Sequence, residues 1–170
     1  MKTMTNFLSH TTLSFAVVLL FSMSLSAQNF FTSKTQSSIG EDANFIVPEK
    51  YEAFEIDEAR LMAHLSSVPM EFTGKETEKT IVLPFPGERG SMEFTIVESP
   101  IMEDGLAAKF PDIKTYRGQG IEDPTAVMRM DITMFGLRAM ILSEHGTVYI
   151  DPYFEEKSPY YIVYEKNDFK

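Results

Sequence analysis

The side chains able to do chemistry in this 170-residue chain are few and scattered. Its histidines are His10, His64 and His145. No two stand four residues apart, the spacing that would put two imidazoles on one helix face to grip a metal. Cysteine is absent, which excludes disulfides, thiolate metal sites and a lipidated N-terminal cysteine. Gly118-x-Gly120 lacks the third glycine and the Lys-Ser/Thr of a phosphate loop, so it reads as a bulge or turn in a strand. Glu122, Asp123 and Asp131 match no Asp-x-Asp calcium loop and read as a solvated loop and strand face. Asp151, before Pro152, sits at a strand end, where a carboxylate can accept backbone hydrogen bonds. Arg129 and Arg138 flank a turn at Gly136 and can pair with Asp131 or Glu144, a surface contact contributing about 0–1 kcal/mol. Met128, Met130, Met134 and Met140 are four of 11 methionines; core packing is the first reading, an adaptable binding surface the second. No nucleophile–base–orienter set is visible, so no catalytic residue, metal ligand or cofactor site is assigned.

The elements that must position these groups are strands. From Thr125 to Met134 the chain alternates strictly, with Ala126, Met128, Met130, Ile132 and Met134 on one side. A period of two marks a half-buried strand. Phe135-Gly136 permits a reversal, Leu137 to Leu142 is a second strand, and Ser143-Glu144-His145-Gly146 is a polar turn. Thr147 to Asp151 is a third strand, stopped by Pro152, and Tyr160 to Tyr164 a fourth. Short turns between consecutive strands make an antiparallel meander, since parallel pairing needs long crossovers. Upstream, Phe54 and Ile56 alternate with Glu55 and Asp57 in a short strand. Asp57 then caps a helix from Glu58 to Leu65, with Leu61, Met62 and Leu65 as its apolar stripe. Thr80 to Phe85 and Ser91 to Val97 are further strands, and Pro84 points to an edge position because it cannot donate to a ladder. Gly105 to Phe110 offers one helical turn, and Ile113 to Ile121 is another strand. The expected fold is mainly β: an antiparallel meander, sandwich or partly open barrel with one or two short helices.

An ordered set of residues runs through this region: Tyr116-x-Gly118, Asp123-Pro124, Val127, Gly136-Leu137-Arg138, Ile141, Tyr149-Ile150-Asp151-Pro152, then Tyr160 to Tyr164. It resembles the pro-region of secreted zinc metalloproteases of the reprolysin/adamalysin type. There the pattern reads Tyr-x-Gly, a Gly-Leu-Arg-Gly turn and Tyr-x-Ile-Glu-Pro; here Ala139 and Asp151 replace the second glycine and the glutamate. Glu98-Ser-Pro-Ile-Met102 and Leu106 to Tyr116 resemble bacterial members more particularly. The resemblance covers roughly Tyr51 to Tyr164. It implies a non-catalytic segment that assists folding of a metalloprotease catalytic domain and holds it latent, with zinc only in that downstream domain. The protease motif His-Glu-x-x-His-x-x-Gly-x-x-His is absent from this chain, as is the pro-region cysteine that caps the zinc in animal relatives. The alternative expectation is a stand-alone secreted or periplasmic β-domain that binds a ligand or inhibits a protease.

Twenty-five acidic against 15 basic residues give a net charge of −10, which disfavours nucleic acid and anionic membrane surfaces as partners. Residues 1–27 read as a signal peptide: Lys2, then the apolar run Leu13 to Leu25, too short to span a bilayer. Cleavage is placed between Ala27 and Gln28, with a cut after Ser26 as the other option. No stable membrane association is expected after removal, and the location is secreted or periplasmic. Losing Lys2 leaves 14 basic against 25 acidic residues, a net of −11. Residues 28–47, polar and aperiodic, read as a flexible leader, and 48–170 as the β-rich domain.

Overall fold

A computed structural model of the chain describes residues 29–39 and 48–169. The expected signal peptide, with its cut at Ala27–Gln28, lies outside the described residues, as do positions 40–47. Nine strands among the described residues form one antiparallel sheet: β1 Phe31–Lys34, β2 Glu52–Ile56, β3 Thr80–Pro84, β4 Ser91–Glu98, β5 Lys114–Gly120, β6 Val127–Thr133, β7 Gly136–Ser143, β8 Gly146–Pro152 and β9 Tyr160–Glu165. Their order is β1-β2-β9-β8-β7-β6-β5-β4-β3. Strands β3 to β9 are therefore a pure meander, and β9 then returns to pair with β2. The sheet curls into a half-barrel, accompanied by two short helices, α1 (Glu58–Leu65) and α2 (Asp104–Ala107).

Alternation builds the inner face. One row across the sheet runs Ile96, Gly118, Met128, Ile141 and Val148. The next runs Tyr116, Met130, Ala139, Ile150 and Val163. Every apolar member of both rows is buried in the same core cluster. Helix α1 fills the hollow: Leu61 and Leu65 are each 2% exposed, and burying one such side chain stabilises by about 1.5–3 kcal/mol. The helix starts where Asp57 Oδ1 accepts from the Arg60 amide at 3.1 Å, satisfying one of the free donors of its first turn. His64, beside the apolar stripe, donates from Nε2 to the Thr80 carbonyl at 2.8 Å and so ties α1 to the edge strand β3. Burial lowers its pKa, which keeps the ring neutral. Pro84 ends that edge strand, as expected.

Several local expectations change. The stretch read as a flexible leader contributes β1, which pairs with β2 from Phe31 opposite Ile56 to Lys34 opposite Ala53. The physical reason is Phe30 and Phe31, each 5% exposed: Phe31 joins the inner face, and the Phe30 ring lies 5.2 Å from that of His64. Met134 does not follow Met128 and Met130 inward. The alternation stops at Thr133, the reversal occupies Met134 and Phe135, and Met134 is exposed. Met62 is likewise exposed, because only Leu61 and Leu65 of α1 point into the hollow. Pro152 does not stop β8 but forms its last pair, opposite Tyr161. Gly118-x-Gly120 is no bulge: both glycines sit in regular register with β4, and Gly118 also with β6.

A second, smaller apolar cluster covers the outer face of β2 and β9. Ile39, Ala53, Tyr153 and Ile162 are buried there, with Tyr160 and Tyr164 packed beside them. Replacing Phe31 by alanine removes a buried ring and is expected to cost about 3 kcal/mol in urea unfolding of the purified domain. An unchanged midpoint would mean that β1 is not part of the folded unit.

Candidate functional site

The strands alternate, so whatever leaves the core on β5 to β8 stands together on the outer face. The register aligns Arg117, Arg129, Met140, Tyr149 and Tyr164 in one row across five strands. The neighbouring row aligns Thr115, Asp131 and Arg138. Ile101 and Ile113, from the β4–β5 connection, rise beside these rows and make a groove of about 620 Å³. Apolar side chains make most of its lining, with Arg129, Asp131, Arg138 and Asp151 set among them.

The charges on the floor are graded. Arg138 faces Asp131 directly across β6 and β7. Burial raises the Asp131 pKa, the Asp151 charge adds to that, and Arg138 opposes it. Asp151 accepts a hydrogen bond from the Tyr164 hydroxyl at 2.8 Å. That phenol is pushed up from its ordinary value, first by burial and then by this bond, so at neutral pH it is a donor and not a nucleophile. The Tyr149 and Tyr164 rings lie 5.6 Å apart and form one end of the surface. At the other end Arg117 is held by Glu71, with Nε to Oε2 at 2.9 Å, and its guanidinium lies 5.8 Å from the Phe72 ring. Arg129 stands directly opposite Arg117, is exposed, and makes no ion pair among the described residues. The arrangement offers one free guanidinium, one carboxylate–guanidinium–carboxylate series and aromatic and aliphatic walls.

The motif residues divide by position. Tyr116, Leu137 and Ile150 are core residues on the inner face. Burial, with help from Glu98, pushes the Tyr116 phenol up to about 12. Gly118 belongs to the same inner row, where it supplies space rather than a side chain. Gly136 has φ +107, and a Cβ there would collide with the Tyr161 hydroxyl, which accepts from the Leu137 amide at 3.2 Å. Arg138, Tyr149 and Asp151 reach the outer groove, and Pro152 forms the last pair of β8 opposite Tyr161. Asp123 and Pro124 lie in the β5–β6 turn, away from the groove. There Asp123 Oδ1 accepts from the Thr125 hydroxyl at 2.6 Å and the Thr125 amide at 2.9 Å. The hydroxyl bond comes first among the causes that lower the Asp123 pKa. Oδ2 of the same carboxylate is buried with no hydrogen-bond partner, 4.0 Å from Arg89 and 3.9 Å from His145. Glu144 pairs towards His145 at 3.6 Å, and not with either groove arginine.

Arg129 and Met140 belong to the groove although the motif passes over them, and Ile101 and Ile113 have no signal of their own in strand periodicity. Counting outward positions across successive hairpins would have found the first two. Among the described residues no three of His, Asp and Glu gather as metal ligands, and no helix is long and apolar enough to cross a membrane.

Because burial is the largest influence on Asp131, its ionised form is a net cost to the fold. A raised folded pKa gives stability that is complete below the unfolded pKa and lost as pH rises through the folded one. Asp131→Asn is therefore expected to melt at the same temperature as wild type or higher at about pH 7, with any advantage shrinking towards about pH 4. A wild-type melt several degrees higher at neutral pH would show that the Arg138 contact outweighs desolvation.

No family model matches the chain, and neither a curated protein nor a solved structure resembles it significantly.

Proposed function

We propose that this chain is a non-catalytic binding domain that serves as the pro-region of a secreted zinc metalloprotease, assisting the folding of the catalytic domain and covering its cleft until removed. The observation that carries this reading is the meeting of Arg138, Tyr149 and Asp151 on one groove of the outer face. These motif side chains leave the core for the groove, while Tyr116, Leu137 and Ile150 are consumed by the core. A sheet face of this kind suits a protein partner: standard interfaces bury about 800 Å² on each side, with aromatic and arginine anchors near the centre. Zinc belongs to the partner, and this chain's part is recognition.

A second reading, a stand-alone secreted or periplasmic binding module or protease inhibitor, draws on the groove volume of about 620 Å³. That lies within the range of roughly 300–1,000 Å³ usual for small-ligand sites.

The test uses the purified domain and a reprolysin-like catalytic domain encoded in the same genome. Inhibition is expected in trans, together with improved yield when the catalytic domain is refolded in its presence. The double variant Arg138→Ala/Tyr149→Ala should weaken inhibition at least tenfold, about 1.4 kcal/mol. Ile141→Val, on the inner face, should leave inhibition unchanged after its stability loss of about 1 kcal/mol is allowed for. A domain that neither inhibits nor assists refolding would leave the binding-module reading standing.

A further inference from the structure

We infer that the outer groove accepts an extended polypeptide segment carrying one carboxylate between apolar side chains, and that Arg129 is the residue that selects the carboxylate. This rests on the protein-binding reading above and gives it a sequence preference.

The inference begins with charge. The chain is strongly acidic, at −10, and the groove's own charges balance, Arg129 and Arg138 against Asp131 and Asp151, but one of the four stands without a counter-charge beside it among the described residues. Arg138 stands opposite Asp131, and its field reaches both Asp131 and the Tyr164 phenol beside Asp151. Arg117 is satisfied by Glu71. Arg129 is left over: exposed, directly opposite another arginine and without an ion pair among the described residues. Like charges directly opposite on adjacent strands are destabilising, so this position costs the isolated domain something that an incoming carboxylate would relieve. A guanidinium is also the side chain best shaped for bidentate contact with a carboxylate.

The occupant's shape follows from the strands. β5 to β8 are central, and each is paired on both sides, so their main chain has no free ladder to extend. Recognition must therefore come from side chains, not from strand addition. Four adjacent strands span about 14 Å at roughly 4.8 Å spacing. That equals four to five residues of extended chain at about 3.3 Å each. Ile101, which is 77% exposed, and Ile113 offer apolar contact along one wall, with Met140 in the floor. A segment with an acidic residue flanked by aliphatic or aromatic ones places its carboxylate on Arg129 and its apolar side chains on these surfaces.

The probe is an array of synthetic pentapeptides, Ser-Φ-z-Φ-Ser, where Φ is Leu, Ile, Val or Phe and z is Glu, Gln or Lys. It is incubated with the purified domain, and hits are confirmed by fluorescence anisotropy. Wild type is expected to bind the Glu series at least tenfold more tightly than the Gln series, and the Lys series least. Arg129→Glu should reverse the order of the Glu and Lys series, while Arg138→Gln should keep it. Circular dichroism checks that both variants, altered only at exposed positions, remain folded. Equal binding of the Glu and Gln series, absence of binding by any series, or an unchanged order in Arg129→Glu would overturn the proposal. Protease inhibition is measured on the same preparations. Inhibition without a Glu preference sinks the groove's selectivity and spares the pro-region reading, whereas a Glu preference without inhibition does the reverse.

Discussion

Strands β4, β5 and β6 meet over Gly118 with no room for a side chain, and the curvature of the sheet depends on that. A Cβ at this position would stand 2.5 Å from the Thr95 carbonyl oxygen and 2.8 Å from the Met128 methyl carbon. At Gly120 a Cβ would collide with the Asp123 carbonyl oxygen in the β5–β6 turn. The two glycines let neighbouring strands lean inward, so Phe94 and Ile96 on β4 and Met128 on β6 close over one core. A bulkier residue would force the strands apart at an overpacking cost of about 1–3 kcal/mol. The same economy operates at Gly136, where the Tyr161 hydroxyl takes the place of a Cβ and receives the Leu137 amide. One tyrosine on β9 thus fixes the turn between β6 and β7, two strands away across the sheet. A flat sheet with the same pairing would leave α1 nothing to fill and Leu61 nothing to touch.

Much of this was legible in the sequence. The period of two from Ala126 to Ile132 reports a face, and the turns at Gly136 and Gly146 report the hairpins. Asp57 announces α1 because an aspartate before an apolar stripe has a defined job with the first-turn amides. What escaped has one physical cause: it depends on contacts far apart in the chain. Phe30 and Phe31 carry no periodicity, and their value appears only when β2 and α1 are near. Gly118 looks the same locally whether it makes a bulge or makes space, and only the approach of β4 and β6 decides between them. Met134 continues the alternation in letters but falls at the reversal, where a strand no longer has faces. The groove was half legible. Arg138, Tyr149 and Asp151 stood out in the motif, but their shared face follows from registers that turn lengths set.

The two faces of the sheet answer to different rules. The inner face is ordered by volume, so its residues are exchangeable only for others of like size. The outer face of β5 to β8 is ordered by charge, and there local consistency breaks down. Arg129 opposite Arg117 is a pairing that folding alone would disfavour, and Asp131 is a carboxylate held where burial opposes its ionisation. Proteins tend to violate such rules where function asks for it and to compensate elsewhere. Glu71 and the Phe72 ring are the compensation for Arg117. Arg129 has none among the described residues, which is why it differs from the other charges of this surface.

The overall charge sharpens that contrast. A domain at −10 repels an acidic partner at long range, so a carboxylate-bearing segment gains no steering towards it. Selection by Arg129 then acts only at contact, within about a Debye length of 8 Å at physiological salt, where the local guanidinium outweighs the distant field. Such a site discriminates through its off-rate more than its on-rate. It also favours a partner whose remaining surface is basic or neutral and whose acidic residue is presented on one exposed strand or loop. For the pro-region proposed above this would be a workable balance: the global field would admit the partner's body, while the groove would read a single short segment of it.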